Sequence, residues 1–432
     1  MLGELFKTTD ADLVLKICQI INYVFCVAMV IIYANQFIYI LFSIFMKPKR
    51  YKEATKEHTY GYIICGKNEQ SVIGNLIESI KKQDYPTDKM HIFVCADNCT
   101  DDTAKIAREK GAIVFERFDN EHIGKSYALD YTLNKIHTEY EHLGIEAYIL
   151  FDADNLASKD YTKEMNKAYD AGYLVATGFR DSKNYSKNWV TAGSSYMFYR
   201  ECCQVHYVRG KLNTGTYVSG TGFLIDKSLV ANGWKYRTLT EDIEFSADCA
   251  RRGIKIGYVY DAIYYDEQPE KLFDSMKQRL RWCKGNNQVF GKYGARLFFG
   301  MFKKFSINKW SMFTHTIPYP GVSTLWLILH QLIGGIYCLV TKQPINIYLN
   351  EVLIFAWFTI RSVFLTCFLD VFILLFQTRK KTHAKWYKKL FYAFMFPFFM
   401  ASYLPMTVIA LLKKNVKWKA IKHTDTRTID QI

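Results

Sequence analysis

The sequence predicts an α/β domain with a mostly parallel sheet, set between membrane-spanning helices. Short apolar runs alternate with helically spaced stretches between Tyr60 and Tyr265, which is the pattern of strands and crossover helices. Long apolar stretches lie on either side of that region. Lysines and arginines crowd the ends of those stretches, as they do on the cytosolic flanks of membrane helices. Half of the 432 residues are hydrophobic and 16% are aromatic. That length holds one domain of a few hundred residues plus membrane segments.

From the N-terminal side, Ile17 to Met46 carries no charged residue. About 20 apolar residues cross a bilayer as a helix, so this run spans with length to spare. Lys47, Lys49, Arg50 and Lys52 follow it. The next domain is therefore expected in the cytosol and the N-terminus outside. No cleavable signal is expected, because the run is too long for one and lacks a small-residue cleavage site.

Within the α/β region, Gly61 to Cys65, His91 to Cys95, Ala112 to Phe115 and Tyr148 to Phe151 read as buried strands. Gln70 to Gln83 and Thr100 to Glu109 read as helices between them. Ligands of such domains sit at the carboxyl ends of the strands. Residues just beyond each strand are therefore the candidates for chemistry.

Beyond Asp266 the chain turns amphipathic. Phe298, Phe299, Met301, Phe302 and Phe305 interleave with Arg296, Lys303 and Lys304, which suits a helix in the membrane surface or one packed on a core. Gly321 to Val340, Ile347 to Gln377 and Leu390 to Leu412 then read as further spans. Arg379, Lys380 and Lys381 precede the last of these and Lys413 and Lys414 follow it, so a single straight crossing conflicts with its charges. Pro397 and Pro405 permit a kink or a re-entrant path. Arg361 and Asp370, inside a span, are expected either to line a polar path or to form an internal ion pair.

A net charge of +15 would suit nucleic acid, but the basic residues sit beside the apolar stretches and no nucleic-acid motif accompanies them. No nucleic-acid partner is expected; the bilayer is. The eleven cysteines lack disulfide or zinc spacing, which fits reduced thiols.

Five constellations carry chemistry. Asp152-Ala-Asp154 follows a strand directly, where carboxylates can hold Mg²⁺ or Mn²⁺ against a diphosphate; alone, the pair is equally a solvated turn. Asp97 closes another strand ahead of Asn98, Asp101 and Asp102, as a nucleoside contact or as the lead-in to a helix capped by Thr100 or Asp101. Gly124-Lys125 sets a cation beside a flexible backbone point. Thr240-Glu241-Asp242 follows the turn Ser219-Gly220-Thr221-Gly222, offering a general base or a helix start capped by Thr240. Strongest is Gln278-Arg279-Leu280-Arg281-Trp282: on a helix, Gln278, Arg281 and Trp282 share one face, pairing a guanidinium fork for phosphate with an indole plane.

In this order the set resembles the family-2 glycosyltransferases of GT-A fold, and among them the membrane synthases of cellulose, mixed-linkage β-glucan, chitin and hyaluronan. The resemblance covers about Tyr60 to Lys292. It implies that Asp97 contacts uracil, that Asp152 and Asp154 hold the diphosphate through a metal, and that Lys125 assists at the nucleotide. It further implies Asp242 as the base on the acceptor hydroxyl, Gln278 and Arg281 as diphosphate ligands and Trp282 as a platform under the acceptor sugar. Glu241, Gly220 and Thr221 would border the acceptor. One departure is Lys67 in Cys65-Gly-Lys-Asn-Glu69, where such enzymes commonly carry an aromatic against the base.

The expected organisation is a transmembrane helix over 1–50, a cytosolic GT-A domain over 51–270, interface helices over 271–310, transmembrane helices over 311–414 and a basic tail over 415–432. With no further domain after the last apolar run, cyclic-dinucleotide control is not expected. The implied activity is an inverting UDP-sugar hexosyltransferase in a bacterial plasma membrane. It would polymerise UDP-glucose into a β-glucan, with mixed β-1,3/β-1,4 linkage as a sub-hypothesis, and extrude it through its own helices. The rivals are a non-processive transferase acting on a lipid carrier and a non-enzymatic membrane scaffold or transporter.

Overall fold

The computed structural model describes residues 13–303, 306–342, 345–379, 381–382, 384–416 and 423–432. Lys304, Phe305, Lys380 and the expected exterior N-terminal end lie outside the described residues. The strands are β1 (Tyr60–Gly66), β2 (Met90–Asp97), β3 (Ile113–Arg117), β4 (Ala147–Asp152), β5 (Leu156–Ala157), β6 (Val175–Ser182), β7 (Phe223–Asp226) and β8 (Ile256–Asp266). They form one sheet in the order β3-β2-β1-β4-β7-β6-β8-β5.

The four strands expected from the sequence are β1 to β4, and they pair in parallel. β1, β2 and β4 are near-continuous apolar runs because both their faces are covered, whereas β3, at the sheet edge, is only partly buried and carries exposed Glu116. Alternate residues feed different cores: Tyr62, Ile64 and Phe151 pack with Ile73, Leu76 and Ile77 of the helix Ile73–Lys81. Ile63, Phe93 and Leu150 pack with Leu129 and Leu133 of the helix Lys125–Glu139. The other half of the sheet is mixed: β7 runs antiparallel to β4 and β6, β6 pairs β8 in parallel, and β5 pairs β8 antiparallel.

The turn before β7 is held by a close approach. Gly222 has φ +61°, and a Cβ there would lie 2.1 Å from the buried ring of Tyr264. Gly222→Ala is expected to destabilise the domain by ~1–3 kcal/mol from overpacking, with the positive φ adding to it. A fall of several degrees in apparent melting temperature checks this; an unshifted melt would show that the turn repacks freely.

Three helical stretches, Ile20–Phe45, Pro320–Thr341 and Trp386–Leu412, are long and apolar enough to cross a membrane. The expected span at Ile347 to Gln377 falls in the helix Ile345–Gln377, whose apolar part among the described residues is Phe364–Gln377. Polar links tie the bundle together, with Asn35 Nδ2 donating to Thr314 Oγ1 at 3.0 Å and Trp326 Nε1 to Asn22 Oδ1 at 3.1 Å. Asp370 pairs with Arg200 Nε at 2.7 Å, so its carboxylate ties the bundle to the α/β domain.

The last apolar stretch breaks as its prolines suggested. It forms the helices Trp386–Ala401 and Tyr403–Leu412, with Pro397 inside the first. The carbonyl of Phe399 at the break accepts from Ser402 Oγ at 2.6 Å and from Arg279 at 3.2 Å. Arg279, buried on the helix Leu272–Lys303, thus satisfies a backbone group that the kink leaves open.

Candidate active site

The ends of β1, β2 and β4, the turn before β7 and the start of the helix Glu241–Arg252 converge on one side of the sheet. Asp152 ends β4, and its carboxylate pairs with Lys125, which opens the helix Lys125–Glu139. The same ammonium donates to the carbonyl of Gly220 at 2.7 Å. A Cβ on Gly220 would stand 3.6 Å from Asp242 Oδ2. Asp152, Lys125, Gly220 and Asp242 are thereby strung along one continuous path. Burial would lower the Lys125 pKa, but Asp152 and Glu241 outweigh it and hold it up at about 12.

Burial pushes the Asp242 carboxyl up to about 7; Glu241 adds to the rise, while Lys125 and Arg281 oppose it. A carboxylate so poised accepts a proton near neutral pH. Thr240 occupies the N-cap position of this helix, but its hydroxyl makes no cap bond and has no partner among the described residues. The expected Thr240 cap is therefore corrected. The reason is steric: the helix Leu272–Lys303 crosses so closely that a Cβ on Gly285 would lie 2.5 Å from Thr240 Oγ1. Buried Glu244 orders the preceding loop instead, accepting from the backbone of Arg237 and Thr238 at 2.9 and 2.8 Å.

That crossing brings Arg281 to the start of the Asp242 helix. Arg281 reaches the carbonyl of Leu239 at 3.5 Å. Trp282 meets Phe198 edge-on at 5.9 Å, and Phe198 stacks on the Arg180 guanidinium at 3.6 Å. Arg180 pairs with Asp266, and Asp266 accepts from Asn155 at 2.8 Å, next in sequence to Asp154. A run of side-chain contacts thus links Trp282, through Phe198, Arg180 and Asp266, to Asn155 beside Asp154. Thr221 is fully buried: its Oγ1 accepts from the Asp152 backbone at 2.8 Å and bonds Asn155, so its side chain braces the Asp152 turn. Asp97 sits further along the strand ends, paired with Arg117 at 2.6 Å; burial raises its carboxyl although Arg117 opposes this. The helix Thr103–Glu109 has Asp102 at its N-cap with no side-chain cap bond, so the expected cap by Thr100 or Asp101 is corrected; Asp101 accepts from Thr103 N at 3.1 Å as a local turn just before the helix.

No local motif marks the groups around Asp154. Its carboxylate, 4% exposed, faces His423 Nδ1 at 3.3 Å. Glu267 and Glu69 approach the same imidazole at 3.7 and 4.0 Å. Burial lifts Asp154 to about 7, with His423 opposing and Asp266 and Asp152 adding to the rise. Burial would lower the His423 pKa, yet Asp154, Glu267 and Glu69 hold it up at about 10. Among the described residues no three His, Cys, Asp or Glu side chains form a ready-made metal cage. One or two carboxylates beside a place for phosphates is nonetheless the donor set that Mg²⁺ or Mn²⁺ takes, and buried Asp154 beside Asp152 and Lys125 fits it.

The family model described as glycosyltransferase like family 2 matches residues 58–285, more than half of the chain. The chain belongs to this family. The match runs from the approach to β1 through Gln278, Arg281 and Trp282. A family-2 glycosyltransferase in this sense, the chain is 25% identical over 260 residues to the probable glycosyltransferase YdaM of Bacillus subtilis (strain 168), covering 55% of this chain and 57% of that protein. It is 24% identical over 282 residues to the beta-monoglucosyldiacylglycerol synthase of Synechocystis sp., covering 62% and 57%. It is 26% identical over 237 residues to the poly-beta-1,6-N-acetyl-D-glucosamine synthase of Staphylococcus aureus (strain COL), covering 53% and 54%. The chain thus spans little more than half the length of these relatives. Among solved structures, the mannosyltransferase PcManGT from Pyrobaculum calidifontis, in complex with GDP-Man and Mn²⁺, superposes with a TM-score of 0.51 at 14% identity, covering 90% of this chain and 97% of that one. The fold is the GT-A glycosyltransferase fold with its mixed sheet, followed by a helical region whose apolar helices can span a membrane.

Proposed function

We propose that this family-2 glycosyltransferase takes a sugar from a nucleoside-diphosphate donor, UDP-glucose foremost. It adds that sugar with inversion to the growing end of a β-linked glycan, at the cytosolic face of a plasma membrane. The observation that supports this reading is the path Asp152, Lys125, Gly220, Asp242, in which residues suited to a diphosphate and a carboxylate suited to proton transfer follow one another closely.

In the proposed reaction Asp242 takes the proton from the acceptor hydroxyl as its oxygen attacks the anomeric carbon of the donor. The bond to the diphosphate breaks on the opposite face, so an α-linked donor yields a β-linkage. Lys125, Gln278 and Arg281 bind the departing diphosphate and offset its charge. A divalent cation bound by Asp154 and Asp152 would supply further positive charge there. Trp282 would stack on the acceptor's terminal sugar, with Gly220 and Glu241 at its border; Thr221 would act through the turn it braces. Asp97 would meet the nucleobase. The apolar helices beside the site would give a long product a way out.

A second reading is favoured by the beta-monoglucosyldiacylglycerol synthase relative: transfer of one sugar to a lipid acceptor. Product size separates the two. The purified chain in nanodiscs is supplied with UDP-glucose, UDP-N-acetylglucosamine or UDP-glucuronate, each with Mg²⁺ or Mn²⁺. The expected product is a glucanase-sensitive polymer from UDP-glucose. Only lipid-linked monosaccharide would select the second reading, and polymer from another donor would correct the sugar.

A further inference from the structure

A pocket of about 370 Å³ opens between the start of the helix Trp189–Arg200 and the start of the apolar stretch Trp386–Leu412. Asn188, Trp189, Tyr387, Lys388, Phe391 and Tyr392 line it, and none of them takes part in the reaction proposed above. Trp386, 73% exposed, stands beside it. Exposed aromatic rings at the head of an apolar helix mark the level where a membrane meets water. From Tyr387 the exposed residues Phe391, Phe394 and Phe398 follow at intervals of four, three and four, so they share one face. Phe368 and Phe364 of the neighbouring helix flank this stripe, 5.9 Å from Phe394 and 5.3 Å from Phe398. An apolar track thus leads from the pocket along the helix.

The charge around the pocket is one-sided. Lys388 lines it, Lys385 and Lys389 lie on either side of Lys388 in sequence, and Lys187 precedes Asn188. Of these four, only Lys187 has a carboxylate partner among the described residues, Glu270 at 3.3 Å. Two polar groups of the wall are already engaged. Asn188 Oδ1 caps the helix, accepting from Val190 N and Thr191 N at 2.9 and 3.0 Å, while its Nδ2 donates to the carbonyl of Glu270 at 3.0 Å. The Tyr392 hydroxyl donates to the carbonyl of Ser186 at 3.1 Å. What remains open is ammonium charge above aromatic walls. A soluble phosphate would leave those rings wet, and a zwitterionic lipid would bring a second cation to the lysines. A negative head on an apolar tail satisfies both.

We infer that this pocket binds an anionic phospholipid, its phosphate at Lys388 and Lys385 and an acyl chain along Phe391 and Phe394. This rests on the reading of Trp386–Leu412 as a membrane segment, and it holds for either acceptor considered above. The lipid is a resident of the fold rather than an acceptor. It bridges the helix that begins at Trp189 and the helix that begins at Trp386. The far end of the first carries Phe198 against Trp282 at 5.9 Å, so the bridge steadies the helix that meets Trp282.

The test uses the full chain in phosphatidylcholine nanodiscs carrying a trace of photoreactive phosphatidylglycerol or photoreactive phosphatidylcholine, with labelled peptides read by mass spectrometry. Labelling within 386–394, divided by that within 320–341, is expected to be at least about fivefold higher for the anionic probe, the worth of one lysine beside an anionic lipid. Unlabelled phosphatidylglycerol should compete, and glycerol phosphate should not. Lys385→Gln with Lys388→Gln is expected to remove the preference. Lys413→Gln with Lys414→Gln, at the other end of the stretch, should keep it. Hydrogen exchange over 189–200 should slow when phosphatidylglycerol is added to the wild type but not to the first variant. Equal labelling by the two probes, competition by glycerol phosphate, or loss of preference in the Lys413 and Lys414 variant would each overturn the site. Unchanged exchange would overturn the bridge, and a glycosylated probe would overturn the resident role. Labelling at 320–341 separates the two levels: its absence would sink the membrane reading itself, whereas its presence without preference at the pocket would sink this proposal alone.

Discussion

Asp242→Asn is expected to cut glycosyl transfer by about 10²–10⁴-fold, the usual worth of a positioned general base, while UDP still binds. The amide keeps the shape of the carboxylate but cannot accept the hydroxyl proton. Because burial and Glu241 lift the Asp242 carboxyl to about 7, against Lys125 and Arg281, the base form dominates only above that pH. The wild-type kcat/KM should therefore rise with pH through about 7, falling roughly tenfold per unit below it. UDP release from a labelled donor measures both. Undiminished transfer by the Asn variant would remove Asp242 from the reaction, and a profile flat between pH 5.5 and 8 would mean another group takes the proton.

The second large effect is expected at Asp154. Asp154→Asn, or chelation with EDTA, should abolish transfer and weaken UDP-sugar binding by at least tenfold, with Mn²⁺ restoring the chelated enzyme but not the variant. The carboxyl is buried and lifted to about 7, with His423 opposing the rise and Asp266 and Asp152 adding to it. An arriving cation must displace a proton there, so its affinity should fall as pH drops below about 7. Isothermal titration with Mn²⁺ at two pH values reads this directly. Full activity in EDTA would show that Lys125, Arg281 and other protein cations carry the diphosphate alone.

Much of the catalytic half was legible because its signals are local. β1, β2 and β4 are near-continuous apolar runs ending in or next to a polar residue, and burial on both faces requires that pattern; the edge strand β3 shows only a short apolar start. Asp152 with Asp154, and Gln278 with Arg281 and Trp282, sit close enough in sequence for one strand end or one helix face to display them together. The second half of the sheet left weaker marks. β5 has two residues and β7 four, too short for any period, and β6 carries half-buried Arg180 and buried Asp181 and Ser182. Arg180 there answers Asp266 on β8, so the polar residues of one strand make sense only beside the other.

Thr240 shows the limit from the other side. Its type and place before an acidic helix start are those of a cap, yet Gly285, on a different helix, crowds the hydroxyl that would make the bond. Asp370 likewise read as a charge inside a span, lining a polar path or paired internally, whereas Arg200 of the α/β domain pairs with it.

By itself the sequence determined the parallel strands, the apolar stretches that can cross a membrane and the residue types able to bind a diphosphate and move a proton. Spacing along a strand or helix suffices for those. The tertiary structure alone decided that Glu69, Glu267 and His423 close around Asp154, and that Arg279 secures the break after Pro397. Those partners come from segments far apart in the chain, and a contact that depends on how the chain returns upon itself leaves no period or spacing to read.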